Sequence, residues 1–226
     1  MAQWPVPSSM LEPLIGPGIE VDTFEGSPYV SLVGLRFTGT RVLGVPIPFH
    51  QDFTEVNLRF YVRRESSEGL RRGVVFISEI VPRFWIAAVA RTLYKEKYRS
   101  LPMSHRLERG GEATTWSYGW RVAGREHSVS ATAAGEPKPL VPGSRDEFIA
   151  EHYWGYSKQP DGGVVEYQVK HPPWRAWSLE SCSFDWSPKD TYGPEWGELL
   201  AAPPKFAFVA EGSDVTVSWG ERLPLG

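Results

Sequence analysis

Short runs of alternating apolar and polar residues dominate the chain, and the sharpest of them runs from Glu55 to Arg63. Its apolar positions are Val56, Leu58, Phe60 and Val62, and its remaining positions are Glu55, Asn57, Arg59, Tyr61 and Arg63. A period of two residues places these two sets on opposite faces of one strand. The polar face meets either solvent or an internal cavity, and the pattern leaves both alternatives open.

Further strands are predicted from alternation, from a run rich in Val and Leu, and from the turns that bound them. They are predicted at Tyr29–Phe37, Val74–Val81, Thr114–Arg121, Ser128–Thr132 and Val164–His171. The third of these carries Thr114, Trp116, Tyr118 and Trp120 on one face, and Gly124 turns it into the fourth as a hairpin. Short strands separated by turns are typical of a protein that is mainly β.

Helices are predicted at three places. Ser9 and Glu12 have the spacing of a capping box, and so do Ser144 and Glu147. The second box predicts a helix over Arg145–His152. Between Val81 and Met103, apolar residues at helical spacing predict a helix that runs into a short polar strand.

Composition favours one large β core. A chain of 226 residues with 41% hydrophobic content can bury a single core, so we expect one domain over residues 1–226. The 22 Gly and 20 Pro cut the chain into short pieces, which suits strands better than helices. Ten Trp, nine Tyr and eleven Phe at strand spacing favour a protein that encloses a cavity.

Charge and cysteine content narrow the partners and the location. A net charge of −3 gives no general reason to bind nucleic acid or an anionic membrane. Glutamates interrupt the cluster Arg63, Arg64, Arg71 and Arg72, so we interpret it as a solvated hairpin. The single cysteine, Cys182, and the lack of a signal segment predict a cytoplasmic protein, with Cys182 half-buried in a strand.

Metal and nucleotide chemistry find no support in the sequence. Five His, one Cys and no HxxxH or CxxC spacing argue against a metal site. GxGxxG after a strand, GxxxxGK[ST] and GxSxG are all missing. We therefore expect no metal and no cofactor.

Four stretches of the chain point to a known family. They are VPRFWIAAVARTLYKEKYRSLPM from Val81, WPVP near the N-terminus, EHYWGY, and HPPWRAW. Together they resemble the YqjF-like family of uncharacterised proteins, which is related to acetoacetate decarboxylase, and the likeness extends from Trp4 to about Trp219. The resemblance implies a fold that is mainly β with a few helices: a bent antiparallel sheet closing into a barrel or cone around an internal cavity.

The resemblance also suggests where chemistry would take place. In acetoacetate decarboxylases the matching stretch ends in a proline and two lysines, one of which forms a Schiff base. Aligning AAVARTLYKEKYR with it puts Lys97 at the proline and Tyr98 and Arg99 at the lysines. A phenol cannot form an imine but can donate a hydrogen bond or act as a general acid. Glu55 matches a glutamate that points into the decarboxylase cavity.

Three functional hypotheses follow. In the first, Glu55, Arg59, Tyr98 and His105 line a largely apolar pocket for a small carbonyl or carboxylate compound. Arg59 would clamp the carboxylate, and Glu55 would orient it or serve as acid or base. In the second, the same pocket binds or senses a ligand without turnover. In the third, Lys97 forms the Schiff base of a decarboxylase or aldolase, which requires a register slip of one residue.

Other residues complete the predicted site and its assembly. The further substrate-binding candidates are Met103, His105, Trp116, His152 and His171. For the two last histidines, neutral rings that hold backbone groups at loop ends are the first interpretation and a cavity-lining role is the second. A small molecule is the expected partner, and a two-fold dimer is the default assembly.

Overall fold

The computed structural model describes residues 1–39, 41–42, 45–46, 52–82 and 98–224. Strands β1 to β19, in chain order, are Ala2–Pro5, Glu20–Val21, Tyr29–Phe37, Arg41–Val42, Val45–Pro46, Phe53–Ser66, Gly69–Val81, Tyr98–Ser100, Met103–Gly110, Ala113–Val122, Arg125–Ala134, Lys138–Pro139, Trp154–Lys158, Val164–Lys170, Arg175–Ser178, Ser181–Asp185, Phe206–Ala210, Thr216–Val217 and Glu221–Arg222. Helices α1 to α4 are Ser8–Leu11, Arg145–Ala150, Pro188–Tyr192 and Pro194–Leu200, and Glu12–Leu14 is a 3-10 turn. The protein is thus mainly β with a few short helices, as the sequence predicts.

Two sheets carry most of the described strands. The larger has the order β12-β15-β17-β1-β3-β6-β7-β13-β14-β18, with β2 beside β6, β8 beside β7 and β19 beside β14. The smaller has the order β16-β11-β10-β9. Pairing is antiparallel except where β7 meets β8 and β13. Long central strands and short edges leave few unpaired backbone groups along the sheet.

The apolar face of β6 forms the centre of the main core. Val56, Leu58, Phe60 and Val62 each have no exposed surface. They cluster with Trp4, Leu11 and Trp120, which come from β1, α1 and β10. Burying such side chains stabilises the fold by about 1.5 to 3 kcal/mol each, so this face fixes the register of β6.

The other face of β6 is also withdrawn from water along most of its length. Glu55, Asn57 and Tyr61 are at most 3% exposed, Arg59 is partly exposed, and the first exposed residue of the face is Arg63. Tyr61 packs against Phe148 and Phe208 in a second, smaller core cluster. The solvent alternative for this face is therefore wrong for its first half, which faces the interior.

The β6–β7 hairpin is confirmed, but its solvated interpretation is wrong for two of its four arginines. Arg64 and Arg71 are about one-fifth exposed and both pair with Glu166 of β14, whose side chain is 6% exposed. Arg63 and Arg72 are 47% and 40% exposed. Local sequence hides this arrangement, because the buried partner lies about a hundred residues further along the chain.

The capping predictions have mixed outcomes. At α2, Ser144 Oγ accepts a hydrogen bond from the Glu147 amide at 3.2 Å, which confirms the cap, whereas the Glu147 carboxylate accepts from the Gly143 amide instead of from Ser144. The helix ends at Ala150 rather than at His152. At α1, the box is wrong: the helix begins at Ser8 after Pro7 and has no side-chain cap.

Other predictions agree with the structure in outline. The strands at Tyr29–Phe37 and Thr114–Arg121 are confirmed, as is the hairpin at Gly124. The strand predicted over Val164–His171 ends at Lys170. The helix predicted between Val81 and Met103 falls on residues 83–97, outside the described residues. No helix in the described ranges combines the length and apolar character needed to cross a bilayer.

Candidate active site

Both sheets contribute side chains to one large cavity. Its volume is about 1470 Å³, above the roughly 300 to 1000 Å³ of most small-molecule sites. We call it the front cavity, and its described lining includes Glu55, Asn57, Arg59, Phe76, Glu79, Tyr98, His105, Trp116, Tyr118, His152, Tyr167, His171, Trp174 and Cys182. Aromatic rings thus surround a small group of ionisable side chains.

A β-bulge on β7 assembles the ionisable group. Leu58 pairs with Ser78 and Arg59 with Phe76, so Ile77 is an extra residue in the ladder. Phe76 and Glu79 consequently face the front cavity, whereas Ile77 and Ser78 face away from it. Strict alternation would put Phe76 and Glu79 on opposite faces. Bulges commonly redirect a side chain in this manner beside functional sites.

Glu55 is a buried carboxyl with a perturbed pKa. Burial raises its pKa to about 7, against the opposing effects of a hydrogen bond from Asn57 and the nearby charge of Arg59. The Asn57 amide donates to Glu55 Oε1 at 2.8 Å. A carboxyl that titrates near neutral pH can both accept and release a proton, which is what a general acid–base residue requires.

Arg59 brings a positive charge into the cavity. Its guanidinium carbon lies 6.0 Å from the centre of the Tyr61 ring. Within the described ranges, no carboxylate oxygen approaches a nitrogen of Arg59 to 4.0 Å or less. Its Nε is buried and has no hydrogen-bond partner among the described residues. The arrangement leaves donors that can bind an anion from the cavity.

Tyr98 and Arg99 lie on opposite faces of β8. Tyr98 faces the front cavity and hydrogen-bonds to Glu79. Burial, followed by the charges of Glu55 and Glu79, raises the Tyr98 pKa well above its usual value. At neutral pH Tyr98 is therefore a phenol and a hydrogen-bond donor. Arg99 faces away from the cavity, where its Nη1 donates to the carbonyl oxygen of Thr191.

The aromatic face of β10 supplies a wall. His105 of β9 packs on Tyr118 with 5.0 Å between ring centres, and Trp116 packs on Trp177 at 5.3 Å. Burial and then the charge of Arg36 lower the pKa of His105. His105 is thus a neutral ring at neutral pH, able to donate or accept one hydrogen bond.

Met103 does not line the front cavity. It shares a face with His105 but pairs with Trp120, and both residues belong to the main core. The same strand face therefore runs from the cavity into the core, and alternation alone cannot show where one gives way to the other. The expectation of substrate contact at Met103 is corrected to a packing role.

His152 and His171 line the cavity in different environments. His152 is 6% exposed and packs on Tyr61 with 4.6 Å between ring centres. Burial, and then the charges of Arg59 and Arg72, lower its pKa well below the usual value. His171 stacks on Trp174 at 4.1 Å, and its Nδ1 lies 2.9 Å from the Pro172 carbonyl oxygen. His171 thus contacts a backbone group and the cavity at once, and its role in ligand binding stays a prediction.

The structure brings most of the predicted residues to this one cavity. Those that line it are Glu55, Arg59, Tyr98, His105, Trp116, His152 and His171. Lys97 lies outside the described residues. Glu79 was missed, because the bulge that turns it inward leaves no signal in the alternation. Among the described residues, no group of three or more His, Cys, Asp or Glu side chains is arranged to hold a metal ion.

Comparisons with known proteins agree with this architecture. YqjF of Bacillus subtilis, an uncharacterized protein, is 26% identical over 187 residues, which is 80% of this chain and 72% of YqjF. The acetoacetate decarboxylase of Legionella pneumophila superposes with a TM-score of 0.63 at 16% identity, covering 99% of this chain and 83% of its own. The enduracididine biosynthesis enzyme MppR, in complex with pyruvate, superposes with a TM-score of 0.61 at 14% identity, covering 98% and 83%.

These structural likenesses establish an acetoacetate-decarboxylase-like fold, and at such identities they establish the fold alone. The family itself is established by sequence. The profile of the DUF2071 family, described as uncharacterized conserved proteins, matches residues 1–214. The chain belongs to the DUF2071 family.

Proposed function

We propose that the front cavity binds a small keto or carboxylic acid, with Arg59 holding the carboxylate. One observation carries the proposal: a guanidinium lines an aromatic cavity and has no described carboxylate within ion-pairing distance. A planar guanidinium matches a carboxylate with two parallel hydrogen bonds. The pyruvate complex of MppR, a protein of the same fold, supports a keto acid as the class of ligand.

We further propose that Glu55 and Tyr98 carry out proton transfer on the bound ligand. With its carboxylate on Arg59, a keto acid would present its carbonyl oxygen to the Tyr98 phenol, which would exchange its hydrogen bond with Glu79 for one to the ligand. Glu55, with a pKa of about 7, would remove or return a proton at the carbon next to the carbonyl. Such chemistry needs no imine, which is consistent with a phenol standing where the relatives have a lysine. The protein would then be an enzyme that acts without the Schiff base.

The shape around this site is part of the proposal. We propose that the bent sheet closes into a barrel or cone around the front cavity and that residues 1–226 form one domain. Lining residues from both sheets, and from β1 through to β18, support this proposal. Closure would keep bulk water away from Glu55 and preserve its raised pKa.

The test pairs two arginines of one strand. Arg59 and Arg63 lie on the same side of β6, the first in the cavity and the second exposed and bound to Glu20. We expect Arg59→Gln to weaken binding of pyruvate or acetoacetate at least tenfold by calorimetric titration, since a charge-assisted hydrogen bond contributes about 1.5 to 3 kcal/mol. Arg63→Gln should bind like the unchanged protein. Equal affinity in all three proteins would contradict the proposal.

Turnover separates an enzyme from a binding module. Proton exchange at the carbon next to the carbonyl can be followed by NMR in deuterated water for any acid that binds. Glu55→Gln should abolish exchange and retain binding if Glu55 is the base. Binding by the unchanged protein without exchange would favour the binding or sensing alternative.

The imine alternative has its own test. Borohydride reduction in the presence of the same acids, followed by intact-mass measurement, traps a Schiff base covalently. A mass adduct that disappears in Lys97→Ala would establish the third hypothesis and overturn the imine-free one. We expect no adduct at Lys97, because Tyr98 occupies the cavity face of β8.

A further inference from the structure

A second pocket lies behind the front cavity, on the opposite face of β7 and β8. We call it the rear pocket; it has a volume of about 410 Å³. Ile77 and Ser78 of β7 and Arg99 of β8 form one wall, and Thr191, Tyr192 and Trp196 from the α3–α4 segment form the other. One layer of sheet separates it from Glu79 and Tyr98. None of its residues takes part in the proposed function of the front cavity.

The bulge that turns Glu79 forward turns Ser78 backward into this pocket. Ser78 is 8% exposed, and its Oγ has no hydrogen-bond partner among the described residues. A hydroxyl buried without a partner costs about 1 to 3 kcal/mol, so such groups in native proteins generally mark a bound water, ion or ligand. Ser78 thus indicates that something polar fills the space beside it.

Arg99 contributes a positive charge to the same space. Of its five N–H donors, the structure assigns one, from Nη1, to the carbonyl oxygen of Thr191. No carboxylate in the described ranges lies within 4.0 Å of its nitrogens. The contact with Thr191 fixes the side chain against the pocket wall and leaves its other donors for a ligand.

Tyr192 adds a third donor. Its hydroxyl is buried and has no hydrogen-bond partner within the described part of the chain. Burial raises the pKa of Tyr192, against the effect of the Arg99 charge, so the group is a protonated phenol at neutral pH. The pocket therefore combines a guanidinium with two hydroxyl groups, each able to donate a hydrogen bond. These are donors that a small oxyanion accepts.

We propose that the rear pocket is a binding site for a small oxyanion, a carboxylate or a phosphate, held by Arg99, Ser78 and Tyr192. The site is separate from the front cavity and does not depend on the function proposed there. Tyr98 and Arg99 are neighbours in β8, and Ser78 and Glu79 are neighbours in β7. The oxyanion therefore binds to the reverse side of the same two strands that carry the candidate acid–base residues.

The experiment measures binding of inorganic phosphate and of acetate by calorimetric titration at constant ionic strength. We expect saturable binding of at least one of the two anions, which identifies the source of the oxyanion. Arg99→Gln should weaken that binding at least tenfold and Ser78→Ala several-fold. Arg109→Gln removes the same charge from an exposed position and should leave the affinity unchanged. The acetate titrations are made in an Arg59→Gln background, which removes the proposed carboxylate clamp of the front cavity, so that the binding that remains is measured away from that cavity.

Two results would overturn the proposal. One is the absence of saturable binding of either anion, which would mean that water alone fills the rear pocket. The other is equal affinity in the unchanged protein and in Ser78→Ala and Arg99→Gln. Ser78→Ala keeps the test informative if Arg99→Gln fails to fold, because the serine hydroxyl has no described partner whose loss would harm the fold.

Discussion

The arginines at the two ends of the β6–β7 hairpin differ in whether a carboxylate pairs with them. Near the turn, Arg63, Arg64, Arg71 and Arg72 each pair with a carboxylate within the described chain. At the cavity end, Arg59 has no such partner, and Glu55 is held by an amide rather than by a cation. One end thus neutralises its charges internally, and for the other end we propose a ligand that enters the cavity. Paired charges hold a fold, whereas uncompensated ones indicate binding.

The largest expected loss of stability comes from removing the carboxylate that pairs with Arg64 and Arg71. Glu166→Gln leaves Arg64 and Arg71 without their shared carboxylate in a site that is about four-fifths buried. We expect the free energy of unfolding to fall by about 3 kcal/mol, because removing one partner of a buried ion pair strands the other charge. Urea unfolding at pH 7 measures this change. Glu68→Gln, which removes a partner of Arg71 that is 76% exposed, should cost about 0 to 1 kcal/mol and serves as the control.

The next effect is a pH dependence at the cavity end. The pKa of Glu55 is raised from 4.5 to about 7 on folding, so the folded state binds more protons than the unfolded state between these values. Protonated Glu55 makes its full contribution to the free energy of unfolding below about pH 4.5. This contribution is lost as the pH rises through about 7. Each pKa unit corresponds to about 1.4 kcal/mol, so the whole shift corresponds to about 3.5 kcal/mol, of which roughly 2 to 3 kcal/mol is lost between pH 5 and pH 8.

The Glu55→Gln variant isolates this contribution. Relative to the unchanged protein, its unfolding free energy should rise by roughly 2 to 3 kcal/mol between pH 5 and pH 8. His152 changes stability in the opposite direction as the pH falls below its unfolded pKa of 6.5, but equally in both proteins. Taking the difference between the two proteins removes it. A difference that does not vary with pH would show that Glu55 does not titrate near 7.

A smaller change in the free energy of unfolding is expected when Arg59 is replaced. Arg59→Gln removes a partly buried cation that has no described carboxylate partner, so stability at pH 7 should be unchanged or higher by up to about 1 kcal/mol. Urea unfolding measures this sign. A loss greater than about 1 kcal/mol would mean that Arg59 is part of a structural ion pair, like the arginines at the turn.

The smallest effect is expected at Arg63. Its ion pair with Glu20 joins side chains that are 47% and 68% exposed. Arg63→Gln should change the free energy of unfolding by less than about 0.5 kcal/mol, and this change should disappear at about 1 M salt. A larger loss that persists in salt would remove the contrast between Arg63 and the buried pairs of Glu166.

The sequence predicts features that repeat along one strand. β3 was predicted from its run of Val and Leu, and β10 from its alternation of aromatic with small or polar residues, and each pattern extends over most of its strand. Alternation with fully apolar positions placed Glu55, Asn57 and Arg59 on the second face of β6, and the family resemblance directed that face to a cavity. The family resemblance added Tyr98, which its short strand could not have indicated alone.

Features that depend on distant contacts were not predictable. Glu166 gives no sign in its own strand that it binds Arg64 and Arg71, since those partners come from another part of the chain. The inward direction of Glu79 depends on one extra residue in a ladder, and the residues flanking it look regular. Met103 was assigned to the cavity wrongly for a related reason. One face of a strand can line the cavity at one end and pack in the core at the other, and alternation does not show where this change occurs.

The extra residue at Ile77 also gives the sheet a property that regular strands lack. In a regular strand, successive side chains point to opposite faces of the sheet, so two consecutive residues cannot face the same side. At the bulge, Ile77 and Ser78 both face the rear pocket, and every later residue of β7 faces the side opposite to the one that regular alternation would give it. One inserted residue is therefore enough to give the two faces of the sheet different chemistry at this point. The Glu79 carboxyl lies on the face of the front cavity, and the Ser78 hydroxyl lies on the face of the rear pocket.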